Sequence, residues 1–492
     1  MNQFKIFPSI GIGRLGDSDS QFYLCPESPD SLGIEIDGAG NETELQLFKD
    51  AALRLKRQGA RFRVFQLDPA TNKYLPITDP NVSVSWEVYL VNKKGAVIRP
   101  ANPDDAPPPI PLQADPSGTA RKIDPGSKTI SGKSQSGVLF NTGTFTATDQ
   151  QSVGHTDTVF LGELQTDKNG NLIVLGGRGV SKSPANLPLT GFYYFSPGWY
   201  DDVSDGYVKA TVTVNGVVSQ AEDAWVIVTP PKYAPQVKAV VTLYDIMEQV
   251  AMDAGMLQPP ATFSFVNDIL PIIDRFRSLA WVNQQSTYTI PVTDQVLADN
   301  SAANKNNRAQ AAGLIQAIKT LLQGDLPGLF LLTNYQLKKL TGWVNGNFTN
   351  DFSSPTSSQL GEGDQLTKTV LDSTVGQRFM PGIEGGIIVQ NPDLYIEPFR
   401  FISADPAKLS PGDITALMAL PWQGDFIDCV TNWWPSQRPD GVMTSTGLQQ
   451  WDRGMNDANG LIANFSKAGF VKPGLDSAGK AIQTEQERNP GF

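Results

Sequence analysis

Tyr207-Val208-Lys209-Ala210-Thr211-Val212-Thr213-Val214-Asn215-Gly216 leads into Val226-Ile227-Val228 and then Pro230-Pro231. The first eight residues place Val208, Ala210, Val212 and Val214 on one face and Lys209, Thr211 and Thr213 on the other, as a half-buried strand does. Asn215-Gly216 tolerates the positive φ of a tight hairpin turn. Pro230-Pro231 ends the strand pattern, because proline lacks the N–H that a ladder uses.

Upstream, Phe62 to Leu67, Val82 to Val91, Val159 to Leu164 and Leu172 to Leu175 repeat the strand pattern, and Lys168-Asn169-Gly170-Asn171 is a second turn. Downstream, Val240 to Met256, Phe263 to Trp281 (interrupted at Pro271) and Arg308 to Gln323 carry apolar residues at helical spacing. The expectation is an α+β fold: a β-rich, sandwich-like domain over residues 1–231 and a mainly α-helical domain over 232–492. Four local expectations accompany it. Leu45, Leu47, Phe48, Ala51, Ala52 and Leu55 predict a helix from Glu44 to Gln58. The proline-rich stretch Pro100 to Pro116 is a surface loop or an arm reaching another subunit. The polar stretch Asn345 to Ser373 is a loop, suited to cover a site. Ser410-Pro411-Gly412-Asp413 caps a helix running through Ile414, Leu417 and Met418.

Composition removes several function classes. The chain has 492 residues, 40% of them hydrophobic, and a net charge of -11 with no basic cluster to neutralise phosphates, which argues against nucleic acid as a partner. No apolar run reaches the roughly 18 residues of a membrane span, and the start lacks the basic-then-apolar pattern of a secretory signal. A cytoplasmic location and no membrane association are therefore expected. The two cysteines, Cys25 and Cys429, exclude a disulfide framework and a Cys-rich zinc site. The single histidine, His155, excludes the metal and triad chemistries that need His in number or in place, so no metal is expected. Gly11-Ile12-Gly13-Arg14-Leu15-Gly16 matches the dinucleotide fingerprint in form. Asp17-Ser18-Asp19-Ser20 follows instead of an apolar helix, so no helix N-terminus awaits a phosphate.

One stretch carries chemistry. Pro421-Trp422-Gln423-Gly424-Asp425-Phe426-Ile427-Asp428-Cys429 and Asn432-Trp433-Trp434-Pro435-Ser436-Gln437-Arg438-Pro439-Asp440 bring together a carboxylate, a thiol and two indoles. On a helix Asp425, Cys429 and Trp433 share a face, while Pro435 disfavours helical geometry at Trp434. Both tryptophans stay open as partners of Cys429, and Trp451 is a third. A thiol bonded to an oxygenated indole gives a thioether-linked quinone, an electrophile toward primary amines. The bland reading makes the aromatics core residues, Cys429 a small buried hydrophobe and Asp425 a cap. Arg438 either binds a substrate carboxylate or locks the loop by pairing with Asp440.

This stretch resembles the cysteine tryptophylquinone amino-acid oxidases, the family of lysine epsilon-oxidase and glycine oxidase. Pro8-Ser9-Ile10-Gly11-Ile12-Gly13-Arg14-Leu15-Gly16-Asp17-Ser18 with Cys25-Pro26-Glu27, and Gly198-Trp199-Tyr200-Asp201-Asp202-Val203-Ser204-Asp205-Gly206, extend the resemblance toward both ends of the chain. It implies a cysteine tryptophylquinone built from Cys429 and Trp433 or Trp434, with Asp425 acting in cofactor formation and as the catalytic base, its pKa raised by burial. It also implies that Tyr200 shapes the pocket toward a lysine-type amine, that Trp199, Asp201 and Arg438 bind substrate, and that dioxygen is the oxidant. Ammonia, hydrogen peroxide and an aldehyde or oxo-acid would be the products. A flavoprotein would install the quinone oxygens, and copies of the chain would assemble. Glycine-type members use an active-site His, and none stands between residues 300 and 430. Two other classes remain in view: a family member that never matures the cofactor and serves as a binding or structural protein, and a carbohydrate-active sandwich, for which no acidic pair can be assigned.

Overall fold

The computed structural model describes residues 3–29, 31–77, 79, 81–99, 112–116, 118–190, 194–279, 282, 290–322, 332–355, 360–376, 381–428, 436–475, 479 and 481–492. The alternating runs of the first half form one sheet of 15 strands. Its main path runs Val138–Phe140, Gly162–Thr166, Leu172–Gly176, Arg57–Asp68, Ile10–Arg14, Ala224–Thr229, Ser204–Val214, Val82–Val88 and Lys128–Ser131. Lys128–Ser131 at one end lies against Val138–Phe140 at the other, so the sheet curls around a core that includes Phe62, Trp86, Phe140, Leu164, Val174 and Val208.

The two turns read from sequence are there. Val214 pairs with Val217 across Asn215 and Gly216, at φ 50 and 81 degrees. Thr166 pairs with Leu172 across a turn in which Asp167 Oδ1 accepts from the Asn169 and Asn171 amides. Ile10–Arg14, carrying two glycines of the apparent dinucleotide fingerprint, is a strand inside the sheet. A Cβ on Gly11 would lie 2.4 Å from the Phe62 ring, so packing explains this glycine.

The chain leaves the sheet after Thr229 and becomes helical. Leu243–Asp253 opens with a capping box between Thr242 and Asp245, and Leu243, Ile246, Met247 and Val250 form its buried stripe. Leu270–Ser278 has Pro271 in its first turn, after a π-helical turn Phe265–Ile269; the proline starts this α-helix rather than interrupting one. Lys305–Leu322 and Asn334–Val344 follow. Arg275 Nη1 donates to Asp245 at 2.6 Å and Nη2 to Asp372 at 2.8 Å, joining three helices through one guanidinium. Among the described residues no helix is long and apolar enough to cross a membrane.

Four expectations need correction. Glu44 to Gln58 is no helix: Glu42–Glu44 and Arg57–Asp68 are strands, and between them Asp50 Oδ1 accepts from the Ala52 and Arg54 amides around Leu53, at φ 61 degrees. Leu45, Phe48 and Leu55 still reach one core, but from a loop. Asn345 to Ser373 contains the helix Glu362–Asp372, whose Leu366, Val370 and Leu371 are buried although its exposed positions are polar. Val159 to Leu164 divides at Phe160 and Leu161 into the strands Gly154–Val159 and Gly162–Thr166. The Ser410 to Asp413 signature does not open a helix. Asp205 accepts from the Ile414 amide at 3.3 Å and the Thr415 amide at 2.8 Å, winding the chain around its carboxylate instead. Of the proline-rich stretch, residues 100–111 lie outside the described residues.

Asp205 also accepts from Trp225 Nε1 at 3.0 Å. Asp205→Ala would leave several buried donors unpaired at about 1–3 kcal/mol each. A large fall in the thermal unfolding midpoint is expected, with a smaller one for Asp205→Asn; equal midpoints for wild type and the alanine variant would contradict this account.

Candidate functional site

Helix Trp422–Asp428 carries Asp425, and Cys429 is the next residue in the sequence. It sits in a core drawn from both halves of the chain: Leu15, Tyr23, Phe48, Val203 and Val228 meet Trp422, Phe426, Trp451 and Phe470. Trp422 packs edge-on to Phe426 with ring centroids 4.8 Å apart and to Phe465 at 5.9 Å. Asp425 is 0% exposed. Cys429, Trp433 and Trp434 lie outside the described residues. Trp451, the third indole considered, is buried, donates Nε1 to the Gly469 carbonyl at 3.0 Å and packs on Tyr233.

Both ends of the helix are gripped. At its start the Trp422 amide donates 3.2 Å to Asp201 Oδ2. Asp201 is itself paired with Lys94, both side chains being inaccessible to solvent, and its Oδ1 accepts from Asn92 Nδ2 at 3.2 Å. Near the other end Arg438 Nε donates to the Phe426 carbonyl at 2.8 Å, while Nη2 reaches Asp452 at 2.7 Å. Arg438 thus ties this end of the helix to Asp452, a carboxylate other than the Asp440 of its sequence reading. The chain beyond residue 435 is also fixed: Gln437 Nε2 donates to the Pro231 carbonyl at 2.9 Å, and the Tyr233 amide donates to the Gln437 carbonyl at 2.9 Å. Arg14, paired with buried Glu384, closes this end by donating 3.1 Å to the Pro230 carbonyl.

The segment Gly198 to Gly206 approaches this helix through backbone-directed carboxylates. Asp201 holds the Trp422 amide. Asp202 Oδ2 accepts from the Arg178 amide at 2.6 Å and the Val180 amide at 3.1 Å. Asp205 holds the 412–415 turn. Gly206 lets this strand pass Tyr89, whose carbonyl oxygen would sit 1.6 Å from an added Cβ. These carboxylates serve protein donors distant in sequence; among the described residues no group of three His, Cys, Asp or Glu is arranged to hold a metal ion. Tyr200 faces the sheet core, with its hydroxyl 3.0 Å from Asp157 and its ring on Phe145; burial, aided by Asp157, pushes its phenol well above the usual range. Trp199 donates Nε1 to the Leu187 carbonyl at 3.0 Å.

Three buried donors between residues 422 and 436 have no hydrogen-bond partner: Trp422 Nε1, Gln423 Nε2 and Ser436 Oγ. Buried donors are normally satisfied, so these three are open to an acceptor that the protein's own chain does not supply, such as a carbonyl oxygen. Gln423 Oε1 is already engaged by Ser181 Oγ at 2.8 Å, which orients the amide. Sequence reasoning missed Lys94, Asn92, Gln423 and Gln437. The available signal was the acid count: three carboxylates within Asp201 to Asp205 require donors if they are buried.

Burial pushes the Asp202 carboxyl up to about 7 from about 3.9 in an unfolded chain. Because the folded state binds this proton more tightly, the associated stabilisation is complete below about pH 4 and disappears as pH rises through about 7. Replacing Asp202 by Asn is expected to flatten that part of the stability–pH curve, measured by thermal unfolding at fixed ionic strength. An unchanged slope between the two pH values would contradict the assignment.

Comparison with known proteins agrees with this architecture. Models described as L-lysine epsilon oxidase N-terminal and L-lysine epsilon oxidase C-terminal domain match residues 7–228 and 320–451. The L-lysine 6-oxidase of Marinomonas mediterranea is 28% identical over 534 residues, an alignment that covers 86% of this chain and 71% of that protein. The crystal structure of the L-Lys epsilon-oxidase from Marinomonas mediterranea has the same fold, with a TM-score of 0.80 at 23% identity and coverage of 99% of this chain and 95% of that one. The structure of its Schiff base intermediate with L-Lys gives 0.79 at 22% identity, with the same coverage.

Proposed function

We propose that this chain, which belongs to the L-lysine epsilon-oxidase family and is an amino-acid oxidase, oxidises a lysine-type primary amine through a cysteine tryptophylquinone formed from Cys429 and Trp433 or Trp434. Family membership implies a quinone cofactor; the particular quinone, its residues and the substrate are our assignment. The net reaction takes amine, dioxygen and water to an aldehyde or oxo-acid, ammonia and hydrogen peroxide. A quinone of this kind supplies an electrophilic carbonyl for the amine and a ring that accepts two electrons when the neighbouring carbon loses its proton.

The observation that carries the proposal is a fully buried Asp425 on a short helix that is gripped at both ends and leads directly into Cys429. Asp425 is the group we assign to removal of the proton from the carbon bearing nitrogen. Trp422 and Phe426, packed on each other in the core, keep water from this helix, and the unpartnered Trp422 Nε1, Gln423 Nε2 and Ser436 Oγ are the donors that would hold quinone oxygens. Support for a lysine-type amine comes from the named activity of the Marinomonas relative and from the absence of histidine between residues 300 and 430. Installation of the two oxygens is assigned to a separate flavoprotein, and self-assembly of the chain is part of the same proposal.

The test is aerobic turnover of protein produced together with a maturation flavoprotein. With L-lysine, hydrogen peroxide and ammonia should form in equal amounts, with glycine a poor substrate, and Asp425→Asn should lower kcat by about 10²–10⁴-fold. Absence of peroxide from matured wild-type protein with any primary amine would contradict the activity. A wild-type rate in the Asn variant would contradict the role of Asp425.

A further inference from the structure

The described helix Trp422–Asp428 spans seven residues, too few to hold a position by their own hydrogen bonds in water. Its placement depends on what grips its ends. Arg438, the grip near the far end, arrives on the same chain segment that carries Cys429 and the two tryptophans. Asp201, the grip at the start, belongs to the sheet half. Its backbone pairs with Ser181 in the ladder Ser181–Lys182 with Tyr200–Asp201. Its main-chain carbonyl accepts from Asn92 Nδ2 at 2.8 Å, and the carboxylate is neutralised by Lys94.

That ion pair has 0% exposure at both side chains. Desolvation makes such pairs poor stabilisers: an apolar pair of equal volume commonly does as well. What a carboxylate provides here, and an apolar group cannot, is an acceptor for the Trp422 N–H. Lys94 orients that acceptor through the ion pair. Asp425 lies three residues beyond Trp422, about 4.5 Å farther along the helix axis, so a shift of the first turn moves the Asp425 carboxylate by a similar amount.

We propose that Asp201, held by Lys94, is a positioning residue for the amine oxidation: it fixes the helix on the sheet and thereby fixes the reach of Asp425. The inference rests on the oxidase reading above and assigns Asp201 no contact with substrate. The same geometry explains why an acidic residue beside the aromatic pair Trp199 and Tyr200 is sealed from solvent.

Two charge-balanced double variants test it without leaving a buried charge unpaired. Lys94→Met with Asp201→Asn keeps an amide oxygen for the Trp422 N–H; Lys94→Met with Asp201→Ala removes it. Quinone content is read from visible absorbance, steady-state rates are expressed per quinone, and folding is followed by near-UV circular dichroism. The Asn double should stay within about threefold of wild-type kcat, whereas the Ala double should lose about tenfold or more in kcat per quinone, or in quinone content, with KM little changed. Equal behaviour of the two doubles, both active or both inactive, would overturn the proposal. A matured wild-type protein that produces no peroxide would instead overturn the oxidase reading, so the two failures are distinguishable.

Discussion

Burying a carboxylate costs less when its oxygens find donors, and the segment Tyr200 to Gly206 finds them by drawing distant parts of the chain onto itself, with Asp202 Oδ1 left as the one orphaned oxygen of its three aspartates. Asp201 takes the start of the helix bearing Asp425, Asp202 takes the amides of Arg178 and Val180, and Asp205 takes the 412–415 turn and the Trp225 indole. This acidic stretch is a hub. The path from the curled sheet to the site therefore runs through hydrogen bonds to backbone, which fix position more sharply than apolar contact alone.

The second constraint is dryness. Trp422 and Phe426 pack in a core shared by residues from the first strands and from the last hairpin, so the helix is not a surface element that merely touches the sheet. In such surroundings the effective dielectric is low, and a fixed charge acts more strongly than it would in water. Arg438 fills two roles there: its guanidinium caps the Phe426 carbonyl and lies over the Trp451 ring at 5.3 Å. With Ser436 and Gln437 bonded to residues 230–234, the chain on both sides of residues 429–435 is held, a suitable frame for a covalent group made from that segment.

Local signals legible in the sequence were those whose physics is local. Asn215-Gly216 turns the chain because its φ values suit few other pairs, and the helix after Thr242 begins where a capping box satisfies its first amides. Signals failed where a distant group decides the outcome. Ser410 and Asp413 do bond each other as a cap would, with the Ser410 amide 2.8 Å from Asp413 Oδ2, yet Asp205 claims the following amides. Leu45, Phe48 and Leu55 have helical spacing, but Asp50 folds the chain between them into a turn. Helix Glu362–Asp372 was obscured because its apolar stripe is narrow and its surroundings polar. At the site, Asp425 and the aromatic pair Trp422 and Phe426 were legible from their motif. Lys94 was not, since a lysine after an apolar run ordinarily marks a solvated strand end; only the fold reveals the buried carboxylate that it meets.

The most direct test of the central claim, a quinone made from the chain itself beside Asp425, is mass spectrometry of protein produced with its maturation flavoprotein. The account predicts an intact mass about 28 Da above that of the bare sequence, from two oxygens gained and four hydrogens lost. The increment should reside in the peptide containing Cys429, whose sulfur should resist alkylation after denaturation. An unmodified mass with a freely alkylated Cys429, in protein that still makes peroxide from an amine, would contradict it.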